Sequence, residues 1–112
     1  MSIVEDVREL EFICKEIKKL TKAIQCSVDK KRKRIAIAPS FGTMSLIYGG
    51  KRNPIAGLSG LMYFEQALQL IISVLEQRGY HLIPDGTSAF ASLFGIPLYY
   101  YKVVKSPKET QK

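Results

Sequence analysis

LSGLMYFEQALQLIISVLEQRG, Leu58–Gly79, decides the fold. It is the longest continuous run of the chain that reads as one helix. Polar side chains fall at Glu65, Gln66, Gln69, Ser73, Glu76 and Gln77, and these spacings align them on one narrow stripe. Leucines, isoleucines, Met62 and Phe64 cover most of the remaining circumference, so the helix is expected to be buried, best against a sheet. Ser59 reads as its N-cap and Gly79 as the residue just past its end. Glu65 is the only charge between Asn53 and Leu75. A membrane span needs about 20 predominantly apolar residues, but Glu65, Gln66 and Gln69 sit together near the middle of the run. The reading is therefore an interior helix of one globular domain, with no membrane partner.

Short apolar runs on both sides supply the sheet. Arg34–Pro39 alternates large and small apolar residues, as a strand with two unequal faces does. Pro39–Thr43 reads as a turn, and Met44–Tyr48 as a returning strand. After the central helix, Tyr80–Pro84 reads as a strand and Pro84–Thr87 as turn chemistry. Ser88–Phe94 makes two helical turns capped by Ser88 and stopped by Gly95. Ile96–Val104 is the last strand, and residues 80–104 have just enough length for a parallel crossover. The order α-β-β-α-β-α-β predicts an α+β or mixed α/β domain over residues 1–105. It has a small sheet of about four strands, a long buried helix, an amphipathic N-terminal helix and a short third helix. Residues 106–112 form a polar, disordered tail.

Residues 3–26 read as the amphipathic helix, with Ile3, Val7, Leu10, Ile13, Ile17, Leu20 and Ile24 at steps of three and four. Acids early and lysines late suit the helix dipole. The seven-residue spacing of Ile3, Leu10, Ile17 and Ile24 also fits a short coiled coil, hence a homodimer through residues 3–26. Cys14 and Cys26 both fall in this helix, where about 1.5 Å per residue holds them roughly 18 Å apart. A disulfide needs Cα atoms within about 7 Å, so two reduced cysteines and a cytoplasmic protein are expected. One histidine and no C-x-x-C give no support to a metal or cofactor.

The net charge of +7 is unevenly spread. Residues 1–34 hold ten Lys/Arg against six acids, whereas residues 35–101 balance three against three. Lys30-Lys31-Arg32-Lys33-Arg34 is the sharpest feature. Five consecutive cations repel one another and add nothing to a compact fold. They suit phosphate contacts with DNA or RNA, a localisation signal, or a solvated helix end. Lys51 and Arg52 in a glycine loop, and Lys18 and Lys22 on the first helix, would extend a nucleic-acid surface. Tyr99 and Tyr101 share one strand face, and Tyr100 shares the other with Lys102.

Enzymatic signals are sparse, and the chain reads as more binding protein than enzyme. Pro84-Asp85 followed by Tyr100-Tyr101-Lys102 resembles the PD-(D/E)xK nuclease pattern, with Glu65 upstream. That resemblance implies a metal-dependent nuclease around Asp85, but Tyr100 stands where the second metal-binding acid belongs. The leading expectation is a small basic protein that binds nucleic acid by its phosphate backbone. A non-enzymatic interaction protein and the nuclease are the alternatives.

Overall fold

The computed structural model describes residues 2–49 and 52–107. Its elements run β1 Ser2–Ile3, α1 Val7–Leu20, β2 Ile24–Asp29, β3 Arg34–Pro39, α2 Phe41–Gly49, α3 Pro54–Gln77, β4 Tyr80–Thr87, α4 Ala89–Leu93 and β5 Tyr99–Lys105. The strands form one five-stranded antiparallel sheet. Lys105 of β5 faces Ser2 on one side and Tyr80 on the other, so β1 and β4 occupy opposite edges of β5. Tyr101 likewise lies between Ile35 and Pro84, which puts β3 on the β1 side. β2 pairs with β3 from Ile24↔Pro39 to Asp29↔Arg34 and is the outer strand.

These registers place Cys26, Ile35, Ile37, Tyr101, Val103 and Leu82 on one face. Leu10, Ile13 and Ile17 of α1 and Phe64, Leu68, Ile71 and Leu75 of α3 close over that face in a single core. The other face carries Gln25, Ser27, Tyr100, Lys102 and His81, and the helices of the core leave it open. The α+β class, the small sheet and the long helix therefore match the sequence expectation.

α3 is longer than expected and buried over only part of its length. Asn53 caps it by accepting from the Ile55 N–H (3.1 Å), with Pro54 in the first turn, so Ser59 is not the cap. Gly79, at φ 90°, ends it as expected. Twenty-four residues make a helix of about 36 Å. β4, which leads back from its end, covers only about 26 Å with eight residues. The first half of α3 consequently outruns the sheet and packs beside α2. Length and composition alone would let α3 cross a membrane, but its second half belongs to the core.

Several expected boundaries are corrected. Residues 3–26 are not one helix. Asp6 caps α1 through the Arg8 N–H (3.0 Å), and the Thr21 hydroxyl accepts from the Ala23 N–H (3.1 Å) as the chain turns into β2. Leu10 and Ile17 lie fully buried in the chain's own core, so this surface is not free to dimerise. Met44–Tyr48 is helix rather than strand. Ser40 ends β3, and its carbonyl accepts from the Met44 N–H (2.8 Å) to begin α2. β4 and β5 are antiparallel, joined through α4, with no parallel crossover. Ser106, expected in the tail, donates its N–H to the Gly79 carbonyl (2.8 Å) and bonds to His81 Nε2 (2.9 Å). Residues 108–112 of that tail lie outside the described residues.

The cysteine expectation is overturned as well. Because α1 ends at Leu20 and β2 runs back beside it, Cys14 and Cys26 have Cα atoms 5.3 Å apart and form a disulfide. Reduced cysteines, and the cytoplasmic location inferred from them, are replaced by a bond that belongs to an oxidising environment.

Candidate nucleic-acid interface

The basic run is a hairpin tip and not a helix end. Asp29 and Arg34 are cross-strand partners, and Lys30, Lys31, Arg32 and Lys33 form the turn between them. Asp29 Oδ1 accepts from the Arg32 N–H (3.3 Å), and Lys33 closes the turn at φ 55°. Lys30, Lys31 and Arg32 are exposed and Lys33 partly so. Among the described residues, no ion pair engages these four side chains.

Arg34 differs. Its Nε donates to Asp29 Oδ2 (2.9 Å), and its Nη1 donates to Asp85 Oδ2 (3.2 Å) and to the Asp85 carbonyl (3.1 Å). The guanidinium lies over the Tyr100 ring, 3.7 Å from its centre. Burial by itself would lower the Arg34 pKa, but the hydrogen bonds and charges of Asp29 and Asp85 outweigh it and raise it. The Arg34 hydrogen bond holds the Asp29 carboxyl below its ordinary value, against a smaller opposing effect of burial. Arg34 is thus a fastener of the open face, removed from the set of cations available to a ligand.

Other cations join the turn. Lys102, next to Tyr100 on β5, donates its ammonium to the Arg32 carbonyl and steadies the tip. Between α1 and the outer strand β2 lies an open cleft of about 260 Å³. Lys15, Lys18, Lys30 and Glu11 line it, and Cys14 and Cys26 contribute to its wall. Lys18 and Lys30 of the turn thereby line the same cleft. Lys15 falls outside the expected set, and its three-residue spacing from Lys18 is the signal of a shared helix face.

Lys22 and Arg52 do not converge here. Lys22 follows α1 near Ile24, which pairs with Pro39 at the far end of β3 from the turn. Arg52 lies between α2 and α3, also beyond that far end, and Lys51 lies outside the described residues. The nuclease pattern fails on geometry too. Asp85 is engaged by Arg34 on the open face, while Glu65 sits on α3, close enough to Tyr99 and Tyr101 on the helix-covered face to help raise their pKa beyond the effect of burial. Among the described residues, no group of three His, Cys, Asp or Glu side chains is arranged to hold a metal ion.

The hairpin tip, the α1 cleft and Lys102 form one largely cationic end of the molecule, with Glu11 among the lysines of the cleft. Compared with known protein families, with curated proteins and with solved structures, the chain matches none.

Proposed function

We propose that this protein binds nucleic acid through its phosphate backbone, using the β2–β3 turn as the principal contact. The observation that carries the reading is the turn itself. Four successive cations project from a tight hairpin with no ion-pair partner among the described residues, while Asp29 at the base of the turn and Asp85 are held by Arg34. Lys18, Lys15 and Lys102 widen the cationic surface around the turn. Clustered cations without acid partners cost self-repulsion, which a polyanion relieves. Each phosphate neutralised releases counterions. Lys22 and Arg52 lie away from the turn, and Arg34 acts by holding the turn's base rather than by touching phosphate.

The test is binding of short duplex DNA and short single-stranded RNA, measured by fluorescence anisotropy at two salt concentrations. Four phosphate contacts predict that duplex affinity falls roughly a hundredfold between 50 and 200 mM salt. Changing Lys30, Lys31, Arg32 and Lys33 together to Ala should remove most of that salt dependence. Affinity that ignores salt, or that survives the quadruple change, would overturn the reading.

A further inference from the structure

The Cys14–Cys26 disulfide borders the cleft between α1 and β2. Glu11, Cys14, Lys15 and Lys18 line one side of it, at the steps of three and four that share a helix face, and Cys26 and Lys30 line the other. Each cysteine is 5% exposed and both line the cleft, so a reagent meets the bond from that side. Lys15, Lys18 and Lys30 are exposed, and among the described residues none of them joins an ion pair. Three lysines against Glu11 leave the cleft with a net charge of +2 around the sulfurs.

From this placement we infer that the cleft is a thiol–disulfide exchange site for small anionic thiols, molecules that carry a carboxylate or sulfonate beside their sulfhydryl. A disulfide is opened by a thiolate, at a rate set by access and by how readily the departing sulfur leaves. A cleft lined by one sign of charge raises the local concentration of an oppositely charged reactant tenfold or more. At about 260 Å³ the cleft lies below the usual range for drug-sized ligands, which favours a small thiol. It lies beside the basic turn, but its chemistry does not depend on what the turn binds.

The exchange balances between the bond and two thiols. The first thiolate bonds to Cys26 Sγ, the bond to Cys14 breaks, and its electron pair leaves on Cys14 as thiolate. Lys15, next in sequence, and Lys18, one turn on, stabilise that charge, and a stabilised thiolate leaves faster. Cys26 lies between the uncharged Gln25 and Ser27, which makes it the sulfur attacked. A second thiolate then attacks the small thiol's sulfur in the mixed disulfide and expels Cys26. Two small thiols are oxidised to one disulfide, the protein disulfide is reduced to two cysteines, and the two protons given up by the small thiols end on the cysteines.

The test is reduction of the full-length oxidised protein by 2-mercaptoethanesulfonate (anionic), 2-mercaptoethanol (neutral) and cysteamine (cationic), read by alkylation and mass spectrometry. Each rate is divided by that thiol's rate with a small uncharged disulfide, which removes differences in sulfur basicity. The anionic thiol should be about tenfold or more faster than the cationic one at low salt, and the difference should shrink at about 1 M salt. Lys15→Gln with Lys18→Gln should flatten the order, Glu11→Gln should steepen it, and Arg52→Gln should leave it unchanged; all four positions are exposed. In the reduced protein, a limiting dose of iodoacetamide should label Cys14 before Cys26, and the reverse order would overturn the direction of attack. Relative rates indifferent to thiol charge overturn the exchange site itself. So does a rate that does not rise with thiol concentration, because the bond is then reached only when the fold opens.

Discussion

The guanidinium of Arg34 rests 3.7 Å above the ring centre of Tyr100 and bridges Asp29 and Asp85, residues from two separate hairpins. One side chain thereby fastens the base of the basic turn, the bulged end of β4 and the open face of β5. Replacing it tests how much that fastening contributes. Arg34→Met keeps the packing over Tyr100 but leaves both carboxylates unpaired. Their side chains are 26% and 38% exposed, so water recovers part of the loss. The expected destabilisation is about 2 kcal/mol, below the 3–5 kcal/mol of a fully buried pair. Urea denaturation of the two proteins measures it, and equal midpoints would contradict the fastening role.

The same contact sets an acid limit. Asp29 titrates below its ordinary value of 3.8 in the folded protein, mainly because Arg34 hydrogen-bonds its charged form. A depressed carboxyl pKa gives stability that is complete above the unfolded-state value and lost as pH falls through the folded one. Wild type should therefore exceed Asp29→Asn in stability at pH 6, and the gap should close as the pH drops from about 4 toward 2. Thermal midpoints of both proteins across that range are the check. A gap that stays constant to low pH would exclude the ion pair as its cause.

Lys33 offers a way to separate folding from binding at the turn. Its φ of 55° lies in the left-handed region, which costs a side-chain-bearing residue roughly 1 kcal/mol. Lys33→Gly removes that cost and one cation together. Stability should rise by about 0.5–1 kcal/mol, while the salt dependence of nucleic-acid binding should weaken by about one phosphate contact. A variant that is both more stable and a weaker binder would tie the cation to binding independently of the fold. Loss of stability would show that the turn depends on the lysine itself.

Much of this architecture is legible in the sequence, and where the two differ the cause is physical. Phe64–Leu75 has apolar residues on nearly every side, which only a layered fold can cover, so the long helix on a small sheet was visible. Ile17, Leu20 and Ile24 satisfy a helical period, while Ile24, Cys26 and Val28 satisfy a strand period. The shared Ile24 let the helix absorb β2 and moved Cys26 away from Cys14. Ser40 serves two signals, ending a strand and beginning a helix, and the residues Pro39 to Thr43 around it carry turn chemistry that hides the second. At the candidate site the free cations were plain in the sequence. The commitment of Arg34 was not, because its partner Asp85 lies 51 residues away and meets it only through the order of the strands.

The disulfide should carry a measurable share of the stability. It closes a loop with a sequence separation of 12, for which the chain-entropy model gives about 3 kcal/mol. It also ties α1 to the outer strand, an edge that otherwise depends on one neighbouring strand. Protein prepared without reductant should show no free thiol under denaturing conditions. Cys14→Ser with Cys26→Ser should lower unfolding stability by roughly that amount. Wild-type protein in excess reductant should match the double variant. Two titratable thiols in the untreated protein would refute the bond.

Two glycines of the α2–α3 hairpin should respond oppositely to one added methyl group. A Cβ on Gly60 would lie 2.9 Å from the Ile47 nitrogen and 2.9 Å from the Leu46 Cβ, so backbone would have to move. A Cβ on Gly42 would meet nothing within 4 Å. Both residues are helical, and alanine is the better helix former at each, by up to about 1 kcal/mol. At Gly42 that gain stands alone, and Gly42→Ala should stabilise by a few tenths of a kcal/mol or more. At Gly60 overpacking costs about 1–3 kcal/mol and reverses the sign. Because α2 would be pushed away from α3, Gly60→Ala should also speed amide exchange in α2 relative to the sheet. Equal effects from the two substitutions would mean that the helices do not pack as closely as Gly60 requires.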